Sequence, residues 1–257
     1  MILMQNSLKV ISAMIELEIR RVMHDRTELY FRAIQPMLWL LIFGHVIGSM
    51  KAIPTGDVPY TDFIMPGVLI QSVVTVSIFF GLVIIWERES GVLKKLVASP
   101  APQWAIVVGR SMAAGVRGLV QALIIIPFAM LIGVTVILNP VNLFLALLVV
   151  FVSAGGFAGL SIMIATLLKT RERFMGIGQA VVLPLFFASS ALYPISTMPP
   201  LLQDFALVNP MTYVVGATRG LLITGDLSSL PIDILAILAF DIVIFAAATL
   251  NFKKIVE

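Results

Sequence analysis

The sequence predicts an all-α polytopic membrane protein, and the prediction follows from its composition and from the length of its apolar stretches. Apolar residues make up 60% of the 257 residues, charged residues make up 12%, and the mean hydropathy is +1.05. Soluble domains have about a quarter of their residues charged, so this chain has too few charges to cover a water-facing surface. Its apolar stretches approach the roughly 20 residues that cross a bilayer as a helix, whereas transmembrane barrels have short alternating segments.

Six transmembrane helices are predicted from these stretches, at residues 33–49, 63–86, 111–138, 141–168, 174–193 and 231–250. An even number of spans places both termini on the same side of the membrane. That side then receives most of the 17 basic residues, and basic residues concentrate on the cytoplasmic side of membrane proteins. We therefore expect both termini to be cytoplasmic. The net charge of +3 follows from this orientation and indicates no nucleic-acid partner.

The composition also excludes several kinds of site. The chain has no cysteine, so disulfides and thiolate metal sites are excluded, and its two histidines, His24 and His45, lie far apart in sequence. Neither His-x-x-x-His nor Gly-x-Ser-x-Gly occurs, which disfavours an intramembrane hydrolase. Residues 1–32 mix acids and bases along their whole length, unlike a cleaved signal, so we expect them in the mature protein.

The N-terminal segment, residues 1–32, has the pattern of an amphipathic helix. Its apolar residues recur at three- and four-residue spacing, while its charged residues fall elsewhere on the helical wheel. We predict a helix that lies in the inner membrane interface, with Lys and Arg side chains at the lipid headgroups. The alternative is an ordinary cytosolic helix that precedes the first span.

A charged segment follows the second predicted span. Five charged residues lie between Glu87 and Lys95, and the prolines at 100 and 102 force the chain out of helical geometry. Between them, Val92, Leu93 and Leu96 have helical spacing, which predicts a short amphipathic helix after the flexible Gly91. A helix held at both ends by membrane spans can transmit a push from a docked soluble protein. The alternative is a solvated surface turn.

The segment from residue 194 to residue 230 is interrupted by Pro199, Pro200, Asn209-Pro210 and Gly225 but is otherwise apolar. Neither apolar half is long enough to cross a bilayer. We predict two short re-entrant helices in the outer leaflet, because irregular backbone at that depth must pack against protein or line a cavity. The alternative is a plain extracellular loop.

Several motifs of this chain resemble those of type-two ABC exporter permeases, the membrane subunits of drug, lipid and polysaccharide exporters. The central one is Glu87-Arg-Glu-Ser-Gly-Val-Leu-Lys-Lys-Leu-Val-Ala-Ser-Pro100, followed by Gly109-Arg110 and Gly115-Val-Arg-Gly118. The others are Tyr60-Thr-Asp-Phe-Ile-Met-Pro-Gly67, Tyr193-Pro-Ile-Ser196, and Asn209-Pro-Met-Thr-Tyr213 with Arg219. The resemblance covers nearly the whole chain.

The resemblance implies the same elements as the residues do: an interfacial N-terminal helix, six spans, a coupling helix between spans two and three, and re-entrant helices between spans five and six. It further implies a dimer, formed with a second copy or a related permease, in the inner membrane of a prokaryotic cell. Each permease of such a dimer binds a cytoplasmic ATPase subunit. The chain lacks a Gly-Lys dipeptide and so has no phosphate-binding loop. We therefore expect a non-catalytic subunit that binds no cofactor directly, with ATP and Mg²⁺ on a separate ATPase.

The whole chain, 1–257, is accordingly predicted to form one permease domain. Its parts are the interfacial helix at 1–32, spans one to five within 33–193, the re-entrant helices at 194–230, span six at 231–250, and a cytoplasmic tail at 251–257. The alternative function is an ion-coupled secondary transporter, which requires a titratable group near the membrane midplane. Asp241 is the only acid that is predicted to lie so deep.

Two groups of candidate functional residues follow. The residues expected to couple the permease to its ATPase are Glu87, Arg88, Gly91, Val92, Leu93, Leu96, Ser99 and Pro100, with Val92, Leu93 and Leu96 as the contact surface. By resemblance, spans one, two and five line the dimer interface and the substrate path. Their aromatic and hydrogen-bonding residues are Trp39, Phe43, Gln71, Ser72, Phe79, Phe80, Gln179, Phe186, Phe187, Ser189 and Ser190. Such a lining suits a large amphipathic substrate, although lipid-facing or core packing is the alternative for each aromatic residue.

Two charged residues, Arg117 and Asp241, lie in predicted spans and more than five residues from either end of the span. A lone carboxylate at mid-span costs at least about 2.5 to 3.5 kcal/mol, so Asp241 is expected to face protein or to be protonated. Arg117 lies nearer the cytoplasmic end of its span and has a side chain long enough to reach the interface. A pair between Asp241 and either Arg117 or Arg110 is one hypothesis.

Overall fold

The structure is a computed structural model that describes residues 2–24, 26–51, 53–98, 101–168 and 170–252. In these ranges the chain forms helices and no strand. The α-helices are α1 (Ile2–His24), α2 (Arg26–Met50), α3 (Tyr60–Phe79), α4 (Gly81–Glu89), α5 (Val92–Val97), α6 (Gln103–Leu131), α7 (Pro140–Leu167), α8 (Arg171–Phe187), α9 (Pro200–Val208), α10 (Pro210–Arg219) and α11 (Leu230–Asn251). A 3₁₀ turn at Ile195–Thr197 precedes α9, and a π turn at Gly220–Thr224 follows α10.

Five stretches of the described chain are long and apolar enough to cross a membrane: Phe31–Met50, Tyr60–Glu89, Gln103–Leu131, Pro140–Leu167 and Leu230–Asn251. They confirm an all-α polytopic membrane protein. The remaining predicted span, at 174–193, corresponds to α8, which has 17 residues and ends at Phe187. The chain from Ala188 to Pro194 is not helical.

The third predicted span ends earlier than expected. Its helix, α6, stops at Leu131 instead of continuing to residue 138. Gly133 has a φ of +98°, a conformation that no right-handed helix contains and that glycine adopts without steric cost. Beyond it the chain is irregular up to Asn139, and the N–H of Ile137 donates to the carbonyl of Leu222 at 2.7 Å. The N–H of Val134 still donates to the carbonyl of Ala129 of α6, at 3.0 Å, so the chain leaves α6 between Val134 and Ile137.

α3 lies at the centre of the bundle, where it contacts α2, α6, α7, α8 and α10. Most of its side chains are buried. α7 packs between α6 and α11, and glycines allow both contacts to be close. A Cβ on Gly118 of α6 would lie 2.9 Å from Ala154 of α7, and one on Gly159 would lie 3.0 Å from Ile244 of α11. These small residues let the helices pack closely. Close packing is what holds membrane helices together, because the lipid is as apolar as the helix surfaces.

α1 packs along the first half of α6. Gly109 of α6 faces Ile11 and Met14, and Glu18 forms an ion pair with Arg117, two turns further along α6. The contacts advance in the same order on both helices, so α1 and α6 run in the same direction in this region. α1 and α6 therefore begin on the same side of the bundle.

Candidate coupling site and substrate path

Consecutive charged residues at the end of α4 bind different helices. Glu87 forms an ion pair with Arg110 of α6 at 2.5 Å, and both side chains are about 13% to 14% exposed. The guanidinium of Arg88 donates to the carbonyl of Leu168, the residue after α7, at 2.8 Å. This bond satisfies a carbonyl that the end of a helix leaves without a backbone partner.

The third charged residue in this run, Glu89, pairs with Arg171 at the start of α8. The Arg171 guanidinium also lies 5.0 Å from the centre of the Trp86 ring, in cation–π geometry. We use the name charged end for residues 86–98 together with Arg110 and Arg171. Through these side chains the end of α4 is attached to α6, to the end of α7 and to α8.

α5, the predicted coupling helix, begins just after Gly91, whose φ is +74°. Leu93 is completely buried, in a cluster that includes Ile84, Phe174 and Phe252. The prediction that Leu93 contacts a partner protein is therefore wrong for this conformation, because the side chain offers no surface and instead anchors α5 to the bundle. The exposed residues of α5 include Val92, at 47%, and Lys95.

Leu96 faces a cavity of about 460 Å³ that lies between α1, α5 and α6. Met14 and Leu17 of α1 form its opposite wall, and Arg21 and Glu87 contribute polar groups. α5 therefore has open space on its α1 side and packed core on the Leu93 side. Ser99 and Pro100, which complete the predicted coupling set, lie outside the described residues.

The intramembrane charges do not pair as hypothesised. Arg117 pairs with Glu18 of α1, and its guanidinium lies 5.6 Å from the centre of the Phe80 ring. Arg110 pairs with Glu87. Neither carboxylate oxygen of Asp241 has a hydrogen-bond partner in the described chain, and the carboxyl group lies against Gly156 of α7, where a Cβ would overlap it. The Arg117–Asp241 and Arg110–Asp241 pairs are therefore wrong, because acids nearer in space take both arginines.

Four of the predicted substrate-path residues form one aromatic cluster. Trp39 stacks on Phe43 with ring centres 4.4 Å apart, and meets the edge of Phe186 at 5.8 Å. Phe186 in turn contacts Phe187 at 5.3 Å. The cluster connects α2 with α8, which are far apart in sequence.

Three more of these residues, Gln71, Ser72 and Phe79, line a cavity of about 220 Å³ between α2 and α3. Arg32, Gln35 and Thr75 also line it and were missed from the sequence. A usable signal was present, because Gln71 and Thr75 are one helical turn apart and form a hydrogen bond at 3.3 Å.

The other four predicted residues lie elsewhere. Phe80 is buried near Arg117, and Gln179 is on the exposed side of α8. Ser189 and Ser190 are buried in the irregular segment after α8. The structure therefore does not bring the whole predicted set together in one path.

Backbone carbonyls around the irregular segment after α8 accept hydrogen bonds from distant side chains. The amide of Asn209 donates to the carbonyls of Leu185 and Ala188, at 2.8 and 2.7 Å. The guanidinium of Arg219 donates to Ser190 at 2.7 Å. It also donates twice to the carbonyl of Phe63 of α3, at 3.1 and 3.2 Å. A carbonyl left unpaired in an apolar region is costly, so these donors allow the helix to end here.

Two further contacts close this region. The hydroxyl of Tyr60 donates to the carbonyl of Leu192 at 3.2 Å. Gly67 of α3 lies directly against the backbone of Ala191, so that a Cβ on it would overlap the Ala191 carbonyl. We use the name carbonyl corner for residues 188–193 with Tyr60, Gly67, Asn209 and Arg219. The motifs at 60–67, 193–196 and 209–219, which are far apart in sequence, meet at this corner.

Comparison with known proteins agrees with these motifs. The model of the ABC-2 type transporter family matches residues 9–223, which include the charged end and the carbonyl corner. A putative transport permease ycf38 from Cyanophora paradoxa is 29% identical over 240 residues, which cover 87% of this chain and 81% of that protein.

Two bacterial relatives have more specific names. The daunorubicin resistance ABC transporter permease protein DrrB1 of Streptomyces coeruleorubidus is 25% identical over 199 residues, 77% of this chain and 70% of that protein. The inner membrane transport permease YadH of Escherichia coli strain K12 is 27% identical over 198 residues, 71% of this chain and 70% of that protein.

Proposed function

Because the chain belongs to the ABC-2 type transporter family, and is therefore a membrane permease subunit of an ABC transporter, we propose that it exports an amphipathic drug, lipid or glycolipid. A separate cytoplasmic ATPase, with ATP and Mg²⁺ bound to it, supplies the energy. Family membership favours this function over an ion-coupled secondary transporter, for which Asp241 is the only acid predicted to lie deep enough.

One observation supports the coupling role most directly, namely the attachment of α4 to α6, to the end of α7 and to α8 through Glu87, Arg88 and Glu89. A force applied to α5 passes into α4 through the short connection at Gly91. From α4 it reaches several spanning helices at once. The exposed Val92 and Lys95 are the contact surface that we propose for the ATPase.

A charge reversal on α5 tests this proposal. In the complex purified with its ATPase, Lys95→Glu is expected to weaken ATPase association, because it places an acid on the contact surface. Lys51→Glu is the matched control: it makes the same change at an exposed residue just after α2, at the end of the bundle away from α5. Equal recovery of the ATPase with both variants, measured by affinity purification of the tagged permease, would contradict the proposal.

The substrate path is proposed to follow α2, α3 and α8. The aromatic cluster at Trp39 and Phe186 supplies an apolar wall, and the cavity at Gln71 supplies hydrogen-bonding groups. One relative is named for daunorubicin resistance, so daunorubicin is a suitable probe. Trp39→Ala is expected to reduce daunorubicin-stimulated ATP hydrolysis in reconstituted membranes. Phe144→Ala, which truncates an exposed aromatic residue of α7 instead, is the control and is expected to leave the stimulation unchanged.

The proposed arrangement in the membrane has six spans, with α8 as the fifth, and both termini in the cytoplasm of a prokaryotic cell. α1 begins in the inner interface, in contact with lipid, beside the start of α6, and α9 and α10 are re-entrant from the opposite side. A second copy, or a related permease, completes the transporter. Large apolar side chains along α2, such as Phe31 and Val46, are exposed, at 69% and 51%. This exposed apolar surface supports α2 as the dimer contact.

A further inference from the structure

The second span is not one uninterrupted helix, because its hydrogen-bond ladder breaks at Phe80 between α3 and α4. In a continuous helix the N–H of Gly81 donates to the carbonyl of Ser77, and the carbonyl of Ile78 accepts from Leu82. Here the N–H of Gly81 donates to the hydroxyl of Ser161 on α7, at 2.9 Å. The same hydroxyl donates to the carbonyl of Ile78. One side chain of α7 thus bridges the two sides of the break.

The bridge is closely fitted. Ser161 is completely buried, and Gly81 is buried beside it. A Cβ on Gly81 would overlap the Ser161 hydroxyl and would lie 2.5 Å from the Phe174 ring of α8. Only glycine at this position lets the hydroxyl reach the backbone of the second span. The site therefore depends on three helices that are far apart in sequence.

The break separates two functional regions. On one side are α4 and α5, which include the charged end. On the other side is α3, which presents Gln71 and Phe79 to the cavity beside α2. Any movement that passes from α5 to the proposed substrate path along the second span must cross Phe80. Helices bend where a side chain inserts into the ladder, and the Ser161 hydroxyl is such a group, so its two hydrogen bonds fix the geometry between α3 and α4.

We infer that Ser161 is a positioning residue that locks α3 and α4 into one rigid unit, so that displacement of α5 by the ATPase reaches the substrate path. The inference rests on the proposed coupling function of α5. Without the hydroxyl, the bend at Phe80 absorbs the displacement. ATP hydrolysis then continues while transport declines.

Ser161→Ala tests the inference because it removes both hydrogen bonds and adds no atom. Ser153→Ala is the matched control. Ser153 is also buried on α7, but its hydroxyl donates only to its own helix, to the carbonyls of Val149 and Val150 at 2.7 and 3.2 Å. The two variants therefore lose the same group and differ only in the bridge.

Two measurements on the complex with its ATPase separate the variants. The chain has no cysteine, so spin labels at Asp57→Cys and Ser90→Cys, both exposed and on opposite sides of the break, report the length of the second span. We expect a broader distance distribution in Ser161→Ala than in Ser153→Ala. We also expect daunorubicin transported per ATP to fall about fivefold or more, since each lost hydrogen bond shifts a conformational equilibrium by about that factor.

The inference is overturned if Ser161→Ala matches Ser153→Ala in both distance distribution and transport per ATP. Gly81→Ala provides a second route, because its methyl group displaces the Ser161 hydroxyl, and it is expected to broaden the same distribution. The spin-label distances need no transported substrate, so they test the Ser161 bridge independently of transport. If Lys95→Glu weakens ATPase association and Ser161→Ala behaves as the control, the role of Ser161 is refuted and the coupling proposal stands.

Discussion

The charged end and the carbonyl corner lie at opposite ends of the α3–α4 span and are stabilised in different ways. At the charged end, side chains pair with side chains, as in Glu87–Arg110 and Glu89–Arg171. At the carbonyl corner, Asn209 and Arg219 donate to backbone carbonyls. Ion pairs exchange readily with water and salt where they are exposed. Carbonyls in an apolar region have no such alternative partner, so the corner is expected to be the rigid end of the molecule and the charged end the adjustable one.

The largest effect is expected from Gly67→Ala, at the corner. The added Cβ overlaps the backbone of Ala191, which cannot move away as a flexible side chain does. We expect a loss of about 4 kcal/mol or more in the free energy of unfolding, seen as little folded protein in detergent. Gly176→Ala on α8 is the control, because a Cβ there meets nothing within 4 Å. It is expected to stabilise the helix by about 0.5 to 1 kcal/mol. Equal melting temperatures for the two variants would mean that the corner is not tightly packed.

The next largest effect is expected from Arg219→Met, which keeps an unbranched apolar side chain and removes the guanidinium. The carbonyl of Ser190 then loses this donor in a buried region, while the carbonyl of Phe63, inside α3, keeps only its helical bond. Leaving a buried carbonyl without a donor costs about 1 to 3 kcal/mol. Thermal unfolding in detergent measures the loss. A melting temperature within one degree of the wild type, at both low and high salt, would refute the role of Arg219 at the corner.

Breaking the buried ion pair of the charged end is expected to have an intermediate effect. Glu87→Gln leaves Arg110 largely buried without its acid, at a cost of about 2 kcal/mol. A double variant, Glu87→Arg with Arg110→Glu, restores opposite charges and is expected to recover part of the loss. The recovery is measured as a coupling energy in a double-mutant cycle. No coupling between the two positions would contradict the pair.

The smallest effect is expected from Glu89→Gln. Glu89 and Arg171 are about 40% exposed, so the pair is screened by solvent and contributes less than about 1 kcal/mol. Its contribution is expected to disappear as the salt concentration rises, whereas the effect of Arg219→Met is expected to persist. Comparing how the stability loss of each variant changes with salt concentration therefore measures how differently the charged end and the carbonyl corner are stabilised. A salt-independent effect of Glu89→Gln would remove that difference.

Hydropathy was sufficient to predict most spans, but not where every helix ends. Pro140 and Leu167 bound α7 almost where the apolar stretch does. α6 ends seven residues early, because a single glycine adopts a positive φ inside an otherwise uniform apolar run. α8 ends at Phe187, because side chains of the distant Asn209 and Arg219 accommodate free carbonyls there. Such long-range donors are not visible in local composition.

The sequence identified which residues belong to the site but not which way their side chains point. The spacing of Val92, Leu93 and Leu96 identified α5 correctly, yet spacing does not tell which side faces the bundle, and Leu93 is the buried one. Arg117 and Arg110 were considered only as possible partners of Asp241. Their partners, Glu18 and Glu87, lie in segments where acids are expected to be solvated, so sequence reasoning preferred the isolated Asp241.

The carbonyl corner also has a consequence for biosynthesis. Its parts come from residues 60–67, 188–193 and 209–219, and the guanidinium donor is the last of them to be made. While the ribosome is still upstream of Arg219, the carbonyls of Phe63 and Ser190 are already in the chain without that partner. The corner therefore closes late, when only α11 remains to be inserted. A nascent chain arrested before Arg219 has emerged from the ribosome should remain sensitive to proteolysis at residues 188–193, and one arrested after it has emerged should become resistant.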